Sequence, residues 1–408
     1  MRRGAEWHVL TLVTLGLTAF GIVMVYSATS ASAAIGGANP MSYLERQGTF
    51  AFVGLAGMLA ATRVPYRRLR ALAPMLVVTA LGGCLAVLVL AQPVNGARRW
   101  IALGPLSLQP SELAKLALAV WLAAYLARRP APTTLKELWR PVGVLVGLFA
   151  VVILAEPDLG TTIAICAMVA AVLLVAGTPL RTLAAGVGIA TAVGILAVWI
   201  EPYRRARVFS FLNPWHDAQG AGFQIVQAQI GLGSGGIFGD GLGQGVQKIH
   251  YLPEAHTDMI FAVIGEELGL LGATALIAAY AAFAWAGLRV ALECRDPFGK
   301  RLAAGLTALV CGQAAINVAA VLGLAPLTGI PLPFVSYGGS SLVVDLVAVG
   351  VLLNIAGGER AAAHVSDRGR GNGRTRAAGA GGRGRAARAR RDGDVRRVAG
   401  SRRGAARS

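Results

Sequence analysis

Ten stretches of almost unbroken apolar residues constrain this chain more than anything else in it. They lie near 9–26, 48–64, 71–91, 111–127, 141–155, 161–177, 183–200, 267–288, 302–323 and 342–357. Runs of roughly 15 to 22 residues, wound as helices at about 1.5 Å per residue, match the ~30 Å hydrocarbon core of a bilayer. They are continuous runs and not amphipathic stripes, and in lipid only helices and closed barrels can satisfy their own backbone. The chain therefore reads as an all-α polytopic integral membrane protein of about ten transmembrane helices. Its composition agrees, with 55% of 408 residues hydrophobic and 14% charged.

Arg2 and Arg3 before the first run resemble the start of a signal peptide, but the run is long and no small-residue cleavage site follows. A retained helix is expected. Alternate loops carry Arg63, Arg67, Arg68 and Arg70, then Arg128, Arg129, Lys136 and Arg140, then Arg181, then Arg289, Arg295, Lys300 and Arg301. That set is the richer in Lys and Arg, so it is expected in the cytoplasm with both termini. The opposite set is 27–47, 92–110, 156–160, the long loop 201–257 between the seventh and eighth helices, and 324–341. Arg98, Arg99, Arg204, Arg205 and Arg207 break the bias there, which suits the holding of an anion.

The net charge of +18 is a poor guide to partners, because fifteen of the 38 basic residues are arginines at 360–408. Residues 361–408, rich in Arg, Gly and Ala, cannot bury enough apolar surface to offset their ordering entropy. A disordered cytoplasmic tail is expected after a membrane domain at 1–360, one suited to anionic headgroups. Nucleic acid is not an expected partner, since the tail has neither a recognition fold nor interleaved aromatics. Cys84, Cys166, Cys294 and Cys311 form no close pair and read as small buried hydrophobes.

The unusual residues gather on the expected outer side. In "NGARRWIALGPLSLQPSELAKL", Pro110 and Ser111 open a helix, and Glu112 shares a face with Lys115 three residues on. An ion pair that eases insertion is the plain reading; a cation-rich helix mouth for a phosphate is the other. "EPDLGT" forces a tight turn and is expected to add Glu156 and Asp158 to the surface. "PYRRARVFSFLNPW" interleaves arginines with Phe209, Phe211 and Trp215, and "GLGSGGIFGDGLGQG" lacks the strand and helix of a Rossmann turn and the lysine of a Walker loop. "GLAPLTGIPLPFVSYGGSS" has prolines in an apolar setting and reads as a re-entrant segment, with Ser336 and Tyr337 as candidates for substrate contact.

"LPEAHTDMIFAVIGEELG", residues 252–269, sets four carboxylates and a histidine at the mouth of the eighth span. Glu254 and Asp258 would share a face if the helix began by Pro253, and two carboxylates can supply a base or hold a divalent cation. His256 would then point elsewhere, as a hydrogen-bonding partner. Glu266 and Glu267 are expected at the outer boundary, about 100° apart and so unable to face one site.

Taken in order, "NGARRWI…QPSELAKL", "PYRRARVFSFLNPW", "GSGGIFGDGLGQGVQKIHYLPEAHTDMIFAVIGEELG" and "PLTGIPLPFVSYGGSS" resemble the SEDS family (shape, elongation, division and sporulation) from about residue 9 to 357. "VQKIHYLPEAHTD" and "IGEELG" are more similar to its division branch. The resemblance implies a ten-helix fold and a peptidoglycan glycosyltransferase that polymerises lipid II outside the cytoplasmic membrane, at the septum. It also implies a class B penicillin-binding protein as partner, with other divisome proteins.

The family's essential aspartate is Asp258 here. The implied step is attack by the sugar 4-hydroxyl of one lipid II on the anomeric carbon of the growing chain, with polyprenyl pyrophosphate leaving and configuration inverted. Asp258 would act as base or position a divalent cation, Mg2+ or Mn2+; no organic cofactor is implied. Arg98, Arg99, Lys115, Arg204, Arg205 and Arg207 are candidates to neutralise the pyrophosphate, with Glu112, Glu254 and His256 nearby. Glu156 stands where the family commonly has glutamine, and Met259 where phenylalanine is usual. A lipid II flippase is the alternative from another class, though neither inverted repeats nor inward-facing charges favour it.

Overall fold

Every one of the ten apolar runs is helical in the computed structural model, which describes residues 4–35, 39, 41–92, 98–103, 106–249 and 252–358. The first helices are α1 (Ala5–Ile35), α2 (Met41–Arg63), α3 (Arg67–Leu90) and α4 (Pro110–Leu126). A short α5 (Leu135–Leu138) leads through a π turn at Trp139–Gly143 into α6 (Val144–Ala155), followed by α7 (Leu159–Ala176) and α8 (Leu180–Ile200). Then come α9 (Pro202–Leu212), α10 (Phe223–Ser234), α11 (Ile260–Glu293), α12 (Pro297–Val321) and α13 (Ser340–Gly358). The expected tail at 361–408 lies outside the described residues.

Among the described residues eight helical segments are long and apolar enough to cross a membrane, with α5 and α6 counted as one. Two expected spans fall short of that measure. One is α4, with 17 residues; the other is α2, whose first turns carry Glu45, Arg46 and Gln47. Among the described residues the one addition to an all-helical plan is a hairpin of β1 (Ile101–Leu103) and β2 (Leu106–Leu108), with Ile101 opposite Leu108.

Local chemistry sets several boundaries. Asp158 caps α7 by accepting from the Thr161 amide at 3.0 Å, and Asp296 caps α12 by accepting from the Phe298 amide at 3.3 Å, each satisfying an orphan donor of a first turn. Pro110 and Pro297 sit at first-turn positions, where a missing N–H costs nothing.

The buried centre is built by α4, α7, α11 and α12, with α1 and α3 packed on them. Small residues let the helices approach, as membrane packing requires. Gly54 of α2 faces Leu346 of α13, and Gly305 of α12 faces Val172 of α7. By contrast, Thr182 is the only buried residue of α8, which leaves that helix to lipid.

The glycine-rich stretch has a structural task. Gly269 breaks α11 with φ 64°, and the freed backbone groups are taken up by the loop at 236–241. The Asp240 amide donates to the Glu266 carbonyl and the Gly241 amide to the Glu267 carbonyl, both at 3.0 Å, and the Leu270 amide donates to the Gly236 carbonyl at 2.9 Å. A methyl on Gly239 would land on the Glu267 carbonyl oxygen. Here glycine allows backbone to lie on backbone.

Segment 324–339 is non-helical yet carries buried Ile330, Leu332, Phe334 and Val335. It lies against Gly21, midway along α1, where any side chain would meet the Phe334 and Val335 backbone. Irregular backbone within the bundle, wrapped in protein, is what the prolines led one to expect.

Candidate active site

Asp258 sits in a series of turns at 252–259, immediately before α11. The expectation that Glu254 and Asp258 share a helix face is wrong, because α11 begins only at Ile260 and Glu254 has left-handed backbone, φ 55°. The two carboxylates nevertheless meet. The Thr257 hydroxyl lies 3.0 Å from Glu254 Oε2 and 3.3 Å from Asp258 Oδ1.

The Asp258 main chain is held from α12, where Asn317 Nδ2 donates to the Asp258 carbonyl at 2.8 Å and to the Ile330 carbonyl at 2.8 Å. Opposite stands Gly329, with φ 69°. Asp258 Oδ2 and Arg207 Nη1 each lie 3.9 Å from the position a side chain on Gly329 would fill, so carboxylate and guanidinium both flank a bare glycine. Burial pushes the Asp258 carboxyl up to about 6, with Arg207 opposing and Glu254 adding to the shift.

Beside Arg207 runs a cleft between α7, α9 and segment 324–339, lined by Pro157, Leu159, Arg204, Arg207, Val208 and Leu327. The cleft is small, about 30 Å³, and sets the Arg207 guanidinium beside apolar side chains. Arg207 also donates to the Leu327 carbonyl at 3.4 Å.

His256 joins Asp258 on the other flank. Its ring lies 5.1 Å from that of Tyr43 and 5.5 Å from that of Tyr337, and its carbonyl accepts from the Tyr337 amide at 2.9 Å. Burial lowers the His256 ring below its ordinary value, with Glu254 opposing, so it is a neutral partner at physiological pH.

Other candidates are placed differently. Arg98 donates to the Leu88 carbonyl at 3.1 Å, Arg99 to the Glu156 carbonyl at 3.0 Å and to the Pro157 carbonyl, and Arg204 to the Leu154 carbonyl at 2.5 Å. These oxygens end α3 and α6, where cations complement the helix dipole. Arg205 makes no side-chain hydrogen bond or ion pair among the described residues. Ser336 is buried, its hydroxyl accepting from the Leu332 amide at 2.8 Å to close a turn.

Glu112 and Lys115 form an ion pair of 2.6 Å with both side chains out of solvent, so they lie in the core and not at an open helix mouth. Asp345 of α13, buried and unremarked in the sequence, is their third member by its electrostatic contact with both. Glu156 and Asp158, expected on the surface, are buried too. Asp158 accepts from Thr161 and, at 3.1 Å, from Gln109 Nε2. Both Glu156 oxygens have no hydrogen-bond partner among the described residues. Burial pushes that carboxyl up to about 8, with Asp158 adding and Cys84 and Arg99 opposing.

Glu266 and Glu267 lie inside α11 and not at its boundary, and they do face different groups. Glu266 Oε1 accepts from the amides of Val246 and Gln247 at 2.7 and 3.0 Å. Glu267 Oε1 pairs with Lys248 Nζ at 2.6 Å and accepts from the Ser27 hydroxyl at 2.8 Å. Sequence reasoning missed Lys248, Asn317, Tyr43 and Asp345; a lone polar residue inside an apolar run was the signal for Asn317 and Asp345.

Residues 7–361 match the family described as "Cell cycle protein", FtsW/RodA/SpoVE. The chain is 41% identical over 355 residues to "Probable peptidoglycan glycosyltransferase FtsW" of Geobacter metallireducens, covering 85% of this chain and 94% of that protein. It is 40% identical to "Stage V sporulation protein E" of Bacillus subtilis, covering 85% and 96%. A solved structure described as "Structural coordination of polymerization and crosslinking by a peptidoglycan synthase complex" superimposes with a TM-score of 0.71 at 31% identity, over 86% of this chain and 97% of that one. The rod shape determining protein RodA of Thermus thermophilus gives 0.63 at 28% identity, over 85% and 95%.

Proposed function

This chain belongs to the FtsW/RodA/SpoVE family, and on that premise we propose that Asp258 is the catalytic carboxylate of a lipid II polymerase. The protein is a multi-pass membrane peptidoglycan glycosyltransferase with the SEDS fold. One observation carries the assignment of the site. The Asp258 carboxylate and the Arg207 guanidinium come together beside bare Gly329, and Arg207 also lines the apolar cleft.

The arrangement fits transfer from a lipid pyrophosphate. A carboxyl poised near 6 is ionised at neutral pH yet basic enough to accept the proton of an attacking sugar hydroxyl. Arg207, whose charge acts on Asp258, faces the negative charge that gathers on the departing pyrophosphate. Bare Gly329 leaves room for the reacting sugar.

Glu254, Thr257 and Asp258 offer hard oxygen donors of the kind Mg2+ or Mn2+ takes, with the rest of an octahedral shell left to water and phosphate. Bound there, the ion would supply Lewis-acid polarisation of an oxygen.

The end of the bundle bearing Asp258 faces away from the cytoplasm, and both termini lie inside, as the Lys and Arg bias supports. A class B penicillin-binding protein is the crosslinking partner, alongside other divisome proteins, and the site of work is the division septum. The likeness to a polymerising and crosslinking complex supports that pairing.

The experiment is substitution of the carboxylate. Asp258→Asn keeps shape and removes the acceptor, so glycan formation from lipid II is expected to fall by about 10²–10⁴-fold with folding intact. Near-normal polymerisation by that variant would refute the assignment.

A further inference from the structure

Two hydrogens of one amide reach the two walls of the site. Asn317 Nδ2 donates at 2.8 Å to the carbonyl of Asp258 and at 2.8 Å to that of Ile330. The side chain is buried, on the last turns of α12. Ile330 follows Gly329, the residue that faces both the Asp258 carboxylate and Arg207. A single planar group therefore ties the segment carrying the carboxylate to the segment forming the opposite wall.

We propose that Asn317 is a positioning residue for glycosyl transfer, fixing the Asp258 carboxylate relative to the Gly329–Ile330 wall through its two donated hydrogen bonds. The inference rests on the catalytic reading of Asp258.

Three features favour this role over general stability. Neither accepting carbonyl belongs to a regular helix, so no ladder would hold it if the amide left. Asn317 Oδ1 has no hydrogen-bond partner among the described residues, so the side chain is oriented by its donors alone. Among the described residues the turns at 252–259 are otherwise closed from within by the Thr257 and Met259 amides on the Glu254 carbonyl at 3.1 and 3.3 Å, and from outside only upstream of Asp258, by the Tyr337 amide on the His256 carbonyl at 2.9 Å and Gln224 Nε2 on the Pro253 carbonyl at 3.2 Å. The rings of Tyr43, His256 and Tyr337 brace only the upstream flank.

Lost positioning registers in the chemical step more than in binding, because the groups that face the lipid pyrophosphate come from α9. Asn317→Leu keeps the volume and removes both donors. Its kcat for lipid II consumption is expected to fall about 10²-fold, the usual consequence of a misplacement near 1 Å, with KM little changed. Asn317→Asp supplies a donor only when protonated, so its rate relative to the parent at the same pH is expected to climb as pH falls.

Both variants are measured beside Asp258→Asn, on full-length protein in detergent. An active Asp258→Asn overturns the catalytic reading itself. An inactive Asp258→Asn together with a folded Asn317→Leu of normal kcat overturns the positioning role alone. Should Asn317→Leu fail to fold, the Asn317→Asp ratio decides, and a ratio flat with pH overturns the proposal.

Discussion

Lys248 Nζ lies 2.6 Å from Glu267 Oε1 with both side chains out of solvent, and the Ser27 hydroxyl lies 3.1 Å from the same nitrogen. The glycine-rich loop is thereby fastened to α11 and α1 at one point inside the bundle. Cutting one partner of such a pair strands a buried charge, at a cost of about 3–5 kcal/mol. Lys248→Met is expected to lower the melting temperature markedly, whereas Lys248→Met combined with Glu267→Gln recovers much of the loss. Thermal unfolding of the two variants in detergent checks this.

Glycines 239 and 233 stand on the same stretch and predict opposite outcomes. A methyl on Gly239 meets the Glu267 carbonyl, and the backbone there has φ 80°, so Gly239→Ala is expected to unseat the loop and destabilise strongly. Gly233, inside α10, has open space around it, and Gly233→Ala should be neutral or stabilising by about 0.5–1 kcal/mol. Melting curves of the pair separate the two.

Activity and stability should respond to pH in opposite senses at Asp258. Its folded value is raised from 3.8 to about 6, so its contribution to stability is full below the unfolded value and is lost as pH rises through about 6. Catalysis needs the ionised form and should rise over that same interval. Asp258→Asn should therefore melt higher than the parent at pH 8, with the advantage vanishing near pH 4. Paired melts at the two pH values test the sign.

Glu156 supplies a second pH test. With its carboxyl raised to about 8, it is mostly protonated at neutral pH and so as uncharged as a glutamine would be. Glu156→Gln is expected to leave polymerisation at pH 7 nearly unchanged, and to remove the loss of stability that the parent accumulates as pH rises from the unfolded value of 4.5 to about 8, above which that loss levels off. Melting from pH 4 to 9 follows the difference.

The spans were legible in the sequence because length and apolarity suffice to specify a helix in lipid. The start of α11 was not. Pro253 imitates a first-turn proline, yet Glu254 turns left-handed and the helix waits for Ile260. Asp258 stood out through the order of matched motifs, since spacing alone gave it no rank above Glu254. Asn317, Lys248 and Tyr43 act through partners between 13 and some 290 residues away in sequence, and no local pattern records such a contact. Arg98, Arg99 and Arg204 were expected to hold an anion, but donors of all three are occupied by helix-end carbonyls, a competitor that charge counting ignores.

The most direct measurement supplies lipid II and a divalent cation to the purified protein with the penicillin-binding protein proposed as its partner in detergent, and resolves the products by length. Detergent offers no compartments between which a lipid could be moved, so a transporter would give no product. Glycan ladders that disappear with Asp258→Asn are the predicted result. No ladder from a folded complex, or ladders undiminished in Asp258→Asn, would contradict the account.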